Sequence, residues 1–429
     1  MSHTIGRLTV FVMVLMMLGA PARAQEPDTT DLARIKAQLD AITRELEELR
    51  LGRDVVVEAD TSLLGFGPAA SKVYKVRQGV SLGGYGEVLY ENFAGETQGD
   101  VPSGLTDRLD ALRAIVYVGY QFSDKILFNA EIEFEHGSTE EGGSVSVEFA
   151  YLDYRLSPRF GVRAGLLLAP MGFLNEIHEP PAFLGAHRPE TERQIIPSTW
   201  RENGIGVFGG TESVNYRAYV VNGFDATGFS AEGLREGRQS GAEASAENFG
   251  VVGRVDYTGV LGLTVGTSAY VGNSGQGATL PSDPATTIGA QTFIWEGHAE
   301  YKVRGFDLRG LLAIATLDDA AEINELNGLS GASSVGDRML GWYLQGGYDV
   351  LRGRSSHQII PYLRYEQLNT QDEVPEGFAA DPATDQRLVT VGAMWKPVPN
   401  VSLKADYLIS SNEAETGVNS LNVNLGYLF

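Results

Sequence analysis

The chain closes on a strict alternation of apolar and polar positions. Leu421, Val423, Leu425, Tyr427 and Phe429 fall on one face, while Ser420, Asn422, Asn424 and Gly426 fall on the other. A side-chain period of two marks a strand with one greasy and one wet face. The same alternation recurs in sixteen segments. The first eight are predicted at Val80–Glu91, Ala111–Gln121, Lys125–Glu135, Val145–Leu156, Phe160–Leu168, Gly204–Gly210, Val214–Asn222 and Asn248–Tyr257. The rest are predicted at Leu261–Val271, Thr292–Lys302, Phe306–Leu317, Leu340–Val350, Gln358–Leu368, Leu388–Lys396, Val401–Ser410 and Val418–Phe429. Most approach the ~9–11 residues that a tilted strand needs to cross a bilayer.

The connections alternate between tight and long. Ser123-Asp124, Ser157-Pro158, Glu212-Ser213, Thr258 to Val260, Val303 to Gly305 and Pro397 to Asn400 are tight turns, and the intervals between them are longer. Short turns on one side and long loops on the other predict an all-β fold, a transmembrane antiparallel β-barrel of about 16 strands over residues 80–429. A β-sandwich or propeller would show shorter strands without that asymmetry. In the third segment Ile126, Phe128, Ala130, Ile132 and Phe134 oppose Lys125, Asn129, Glu131 and Glu133. Charges at alternate positions cannot face lipid, so they must line a wet interior. The fourth segment shifts phase near Ala150 and Tyr151, which a bulge or a misplaced boundary explains. Trp295, Tyr301, Trp342, Tyr348, Tyr365, Trp395 and Tyr407 are candidates for the interfacial aromatic belts.

Ahead of the barrel, residues 1–24 read as a signal peptide. Arg7 precedes the apolar stretch Leu8 to Leu18, and Ala22-Arg23-Ala24 supplies small residues for cleavage. Within residues 28–52, Leu32, Ile35, Leu39, Ile42, Leu46 and Leu49 follow the a/d rhythm of a coiled-coil helix. Leu at a with Ile at d favours three or more strands; a single amphipathic helix packed on its own domain is the alternative reading. Residues 53–79 are expected to be a linker.

Composition narrows the function. A formal net charge of −22 argues against nucleic-acid binding, which needs a basic footprint. Much of the acid lies in the connections, where it suits solvated loops that can meet lipopolysaccharide through divalent cations. Absence of cysteine excludes disulfide staples from an exported chain, and a closed barrel needs none. His136, His178, His187, His298 and His357 are scattered, so neither a metal site nor any cofactor is expected. Only His298 lies in a predicted strand, where a solvated lumen side chain is the simplest reading. Neither a Gly-x-Ser-x-Gly elbow nor a His-Glu-x-x-His helix occurs, so the chain does not read as an enzyme.

The third long connection, residues 169–203, mixes apolar, proline and charged residues. A loop of that length needs buried surface to rest on, and folding into the lumen supplies it. An external loop packed over its neighbours, or one mediating subunit contact, is the alternative. His187, Arg188, Glu190, Glu192, Arg193 and Arg201 are its candidate constriction residues. Several pieces together resemble the phosphate-selective porin O and P family of Gram-negative outer membranes. They are Gly83-Gly84-Tyr85-Gly86-Glu87, Arg163-Ala164-Gly165 running into Pro170-Met171-Gly172, Arg188-Pro189-Glu190, Pro197-Ser198-Thr199-Trp200 before Gly204-Ile205-Gly206, and terminal Tyr427-Leu428-Phe429. The resemblance covers about Val80 to Phe429. It implies a homotrimer of sixteen-stranded barrels in the outer membrane, a third loop folded inward and arginine-lined passage of anions such as phosphate. It also implies that Phe429 is an assembly signal read by the barrel-assembly machinery.

Alternation places Arg113, Lys125, Arg163, Arg217, Arg254, Lys302, Arg309, Arg364, Lys396 and Lys404 toward the lumen. Glu87, Glu131, Glu133, Glu135, Glu148, Asp256, Glu296, Glu300, Asp307, Asp349, Glu366 and Asp406 face the same way. Two lists so nearly balanced point to passive diffusion of small hydrophilic solutes or ions through a porin, since a selective ring needs one sign to dominate. The alternatives are an outer-membrane barrel enzyme and a plugged structural or adhesive barrel.

Overall fold

The computed structural model describes residues 36–41, 58–138 and 142–429. The signal-peptide reading lies outside the described residues, as does most of the coiled-coil reading; residues 36–41 are helical and exposed. In the second unit, from Val55 onward, sixteen antiparallel strands close into a barrel in which each strand pairs with its neighbours in sequence and the last pairs with the first. In chain order they are Gly79–Phe93, Arg108–Gln121, Ile126–Glu135, Ser144–Ser157, Phe160–Leu168, Arg201–Gly210, Val214–Asn222, Phe249–Val260, Leu263–Asn273, Gln291–Val303, Phe306–Leu317, Arg338–Tyr348, Gln358–Glu373, Asp385–Val398, Val401–Asn412 and Ser420–Leu428. A short hairpin of Thr279–Leu280 with Asp283–Thr287 stands apart from the wall.

Closure is made by the registers Tyr85↔Leu428 through Phe93↔Ser420. Beyond it, Phe429 N donates to Gly84 O at 2.9 Å and Gly84 N donates to Phe429 O at 3.1 Å. Every wall strand therefore has two neighbours, which removes the unpaired edges that hydrocarbon cannot satisfy.

The period of two sets the facing. Leu82, Ile205, Val251, Leu344, Leu363 and Val391 are more than half exposed on the outer face, except Val251 at 50%, and together they form an apolar belt. Tyr301, Tyr348, Trp395 and Tyr407 are 37 to 44% exposed on the same outer face. In the third strand Leu127, Asn129, Glu131 and Glu133 point inward and are buried. The phase shift in the fourth strand is a bulge: Glu131 faces Phe149 while Ile132 faces Val147, leaving Glu148 as the extra residue. That bulge turns Phe149, Tyr151 and Asp153 inward together with Glu148.

Two expectations change at the wall. Lys125 is exposed in the turn before the third strand and is not lumen-lining, because pairing begins at Ile126. The third long connection ends at Trp200 rather than Asn203, because Arg201, Glu202 and Asn203 pair with Leu168, Leu167 and Leu166.

The outer belt predicts an asymmetric response to charge. Leu363→Arg is expected to destabilise the barrel by ~2–4 kcal/mol in lipid, the cost of a cation on the lipid face near midplane. Urea titration of the chain folded into vesicles measures this, and an unchanged midpoint would remove Leu363 from the lipid face.

Candidate functional site

Prolines 170, 180, 181, 189 and 197 limit regular structure in residues 169–200 to a 3-10 turn at Pro180–Ala182 and one helical turn at Glu190–Gln194, so many of the loop's carbonyls must find donors elsewhere. The barrel wall supplies them. Lys396 Nζ donates to Pro181 O at 2.6 Å, Arg309 Nη2 to Ala182 O at 2.7 Å and Lys404 Nζ to Gly185 O at 2.8 Å. Wall acids take the loop's amides: Ala186 N donates to Asp406 at 2.6 Å and Thr191 N to Glu366 at 3.2 Å. Glu176 pairs with Arg217 at 3.1 Å, and His178 Nε2 lies 3.1 Å from Glu131. At the loop's base Asn175 Nδ2 donates to Ala169 O and Trp200 O, while its Oδ1 accepts from Trp200 N. Trp200, Met171, Ile195 and Ile196 are fully buried there. Close approach needs a bare wall: a side chain on Gly426 would begin 2.3 Å from Pro180 Cβ. The loop thus bridges the lumen from the third strand to the fifteenth.

Residues 63–74, read from sequence as part of a linker, also lie inside. Phe66, Ala69, Ala70 and Val73 are 1 to 3% exposed, and Ala70–Tyr74 form a 3-10 turn. Glu179 Oε1 accepts from Ala69 N at 2.9 Å and Ala70 N at 3.1 Å, tying this segment to the third loop.

Loop and segment partition the lumen. Toward the short turns lie cavities of about 640 and 470 Å³, both bordered by Ser62, Phe173 and Ile177. Toward the long loops lie cavities of about 390 and 170 Å³, both bordered by His187, Arg188 and Glu190. None of these four reaches both mouths.

The expected lumen residues divide accordingly. Arg113 borders the 390 Å³ cavity and lies 3.2 Å from Glu87 and 3.6 Å from Glu133. Arg364 borders the 170 Å³ cavity beside Glu366 at 2.8 Å. On the turn side Arg309 meets Glu300 at 2.7 Å, while Arg217 and Arg254 share Asp256 at 3.0 and 2.8 Å. Arg163, Lys404 and Glu131 face inward but are covered, at 0 to 1% exposure. His298 is covered too, held between Asp256 at 2.9 Å and Glu296 at 2.8 Å rather than solvated. Ser268 Oγ donates to Glu296. Among the described residues no cluster of His, Asp and Glu is arranged to hold a metal ion.

Of the candidate constriction residues, His187, Arg188, Glu190 and Arg193 border the long-loop cavities. His187 contacts Glu91 at 3.3 Å, and Arg193 pairs with Glu190 at 2.7 Å. Arg201 sits in the sixth strand, paired with Glu148 at 2.7 Å. Glu192 does not line a passage: it is fully buried, accepting from Tyr343 OH at 2.7 Å and Leu174 N at 2.8 Å. Two residues absent from the expected set matter. Asp153 holds Arg163 in a two-pronged pair at 2.7 and 2.9 Å, and the bulge at Glu148 hid its facing. Arg235, from the loop between the seventh and eighth strands, borders the 390 Å³ cavity and donates to Arg193 O at 3.2 Å. Its loop has no periodicity to betray it.

Among the described residues no carboxylate lies within ion-pair distance of Arg188 or Arg235, and Arg188 Nη2 has no hydrogen-bond partner. Burial lowers the pKa of both guanidinium groups, with Arg113 adding to the shift at Arg188 and Arg238 adding to it at Arg235. Arg188 and Arg235 are thus vestibule guanidinium groups without a carboxylate partner, in a lining that also carries Glu87, Glu91, Asp110, Glu135 and Glu190.

Glu179 provides a pH test of the interior. Burial pushes its carboxyl from 4.5 up to about 8, against the pull of the Ala70 and Ala69 amides. Between those values the folded chain binds the extra proton, so this contribution to stability is present below about 4.5 and is lost as pH rises through 8. Glu179→Gln is expected to flatten the fall in unfolding free energy over that range, by at most ~1.4 kcal/mol per pH unit. Identical pH slopes for the two chains would place the Glu179 proton elsewhere.

The fold has solved counterparts. An anion-selective porin from Comamonas acidovorans matches with a TM-score of 0.51 at 13% identity, over 82% of this chain and 99% of its own. The outer membrane channel DcaP of Acinetobacter baumannii matches with a TM-score of 0.51 at 13% identity, over 82% and 97%. Salmonella typhi OmpF, solved with daunomycin, gives 0.53 at 12% identity over 82% and 98%. No family model matches the chain. A protein of Aquifex aeolicus (strain VF5), described only as uncharacterized, is 40% identical over 366 residues, 82% of this chain and 81% of its own. The chain belongs to the family of that Aquifex aeolicus protein, and its fold is the sixteen-stranded barrel of the outer-membrane porins.

Proposed function

We propose that the chain is an outer-membrane porin that passes small hydrophilic solutes or ions by diffusion and favours anions, phosphate among them. The observation that carries this reading is the unpaired positive charge of Arg188 and Arg235 at the long-loop vestibule. Other lumen arginines are matched to acids, among them Arg113, Arg217, Arg254, Arg309 and Arg364. A cationic entrance raises the local concentration of anions and lowers that of cations. The likeness to the phosphate-selective porin O and P family supports the same preference. We place the apolar belt in outer-membrane lipid, the acidic loops among lipopolysaccharide and the N-terminal helix in the periplasm. Assembly as a homotrimer rests on the heptad positions and the same likeness, and Phe429 is our candidate signal for the barrel-assembly machinery.

A second reading, a plugged structural or adhesive barrel, is favoured by the loop and segment that cross the lumen. Planar-bilayer recording separates the two. Arg188→Glu combined with Arg235→Glu is expected to lower the anion-to-cation permeability ratio by about fivefold, the equivalent of ~1 kcal/mol for unit charges 4 Å apart in water. Reversal potentials in asymmetric salt measure it. Lys125→Glu, in the exposed tight turn before the third strand, is expected to leave the ratio unchanged. A ratio that ignores the double variant would move selectivity away from the vestibule.

A further inference from the structure

We infer that residues 59–74 are an internal stopper, docked reversibly against the first five strands, that closes the short-turn half of the channel. The inference rests on the reading of the barrel as a channel. A mere tether would cross the mouth on its way to the first strand with few specific contacts. This segment instead fits a prepared seat.

Phe66 is buried between Phe149 and Tyr151, with ring centres 5.2 and 5.3 Å away. The Arg163 guanidinium lies over the Phe66 ring at 4.7 Å and over Tyr151 at 4.3 Å. Tyr74 OH sits 2.8 Å from Tyr151 OH and donates to Asp153 at 2.8 Å, while accepting from Arg163 at 2.9 Å. Asn129 Nδ2 donates to Ala70 O at 3.0 Å. The wall is cut away to receive the segment. A Cβ on Gly119 would lie 2.5 Å from Val73 Cγ2, and one on Gly83 would lie 2.9 Å from Ala69 O. Glycine weakens a strand interior, so two such positions facing one insert mark a fitted seat.

Position explains the closure. Ser62 borders both turn-side cavities, so the segment runs between them. Its inner end meets the third loop through Glu179, and the two together fill the depth between mouth and septum. Contact chemistry explains the reversibility. Apolar packing and hydrogen bonds hold the segment; Phe66 lies under the Arg163 guanidinium and Tyr74 bonds both members of the Asp153–Arg163 pair, which is complete without either. Withdrawal would leave no ion pair broken.

The full chain, which has no cysteine, allows a clean test. Ser71, 0% exposed, is replaced in Ser71→Cys and Thr61, which is exposed, in Thr61→Cys as a comparison. A membrane-impermeant maleimide is expected to label Cys at 71 roughly tenfold more slowly than at 61, as labelling through a local opening demands. Adding Gly119→Leu, which crowds Val73 from the wall and leaves the segment's own sequence unchanged, is expected to bring the two rates together. Phe66→Ala with Tyr74→Ala should do the same, so a single folding failure does not decide the matter. In planar bilayers both displaced chains are expected to show larger unitary conductance than the parent. Equal labelling at 71 and 61 in the parent overturns the stopper, and so does equal conductance in parent and displaced chains that both conduct. Silence from every chain after successful insertion overturns the channel reading and the stopper with it.

Discussion

Hydrocarbon offers no partner to an unpaired strand edge, and the rest of this molecule follows from meeting that constraint. The first and sixteenth strands must join, and they do so over nine registered pairs that continue into the two hydrogen bonds between Gly84 and Phe429. Sixteen strands joined in a ring enclose a space too wide for wall side chains to fill. The chain fills part of that space with its own third loop and with residues 59–74. Closure thus creates the room that the interior segments then occupy.

Those segments bring carbonyls, amides and charges into a partly desolvated interior, where an unpaired charge is expensive. Pairing is the consequence, and it explains why the inward charges nearly balance. Arg163 shows how complete the pairing is. It spends its donors on both oxygens of Asp153, on Tyr74 and on Tyr219, and it packs over Phe66, Tyr151 and Phe208. Arg188 and Arg235 depart from this rule, and they do so where the lumen opens toward the long loops. Arg235 is received there by the Arg193 carbonyl rather than by a carboxylate, and a guanidinium without a counter-charge at the lining of a cavity can act on ions that enter it.

The wall was legible because a half-lipid, half-water environment imposes a period of two on every strand. All sixteen segments lie where alternation put them, with boundaries moved by a few residues. Where the period breaks, legibility breaks with it. The extra residue Glu148 reverses the phase, which is why Asp153 was missing from the inward set. Lys125 failed for a related reason: alternation was extended one position past the strand into the turn. Residues 59–74 carry no period at all, since neither face of that segment meets lipid. Its run of small and apolar residues, Phe66-Gly67-Pro68-Ala69-Ala70, was the available signal. A solvated linker has no use for such a run, whereas a segment packed on aromatic side chains does.

Loop and segment occupy one lumen, yet they are held in different ways. The third loop is continuous with the wall at both ends, at Leu168 and Arg201, and its contacts include an ion pair to the seventh strand and hydrogen bonds to the third and the eleventh through fifteenth strands. Displacing it would strip Lys404 and Lys396 of the loop carbonyls that receive their ammonium groups. Such a loop sets the permanent shape of the passage. Residues 59–74 join the wall only at Gly79, and their seat is made of glycines, aromatic rings and a charged pair already complete. Here the cost of departure is lost packing rather than exposed charge. Ionic anchoring fixes the septum, and neutral packing leaves the inner segment the more readily moved of the two.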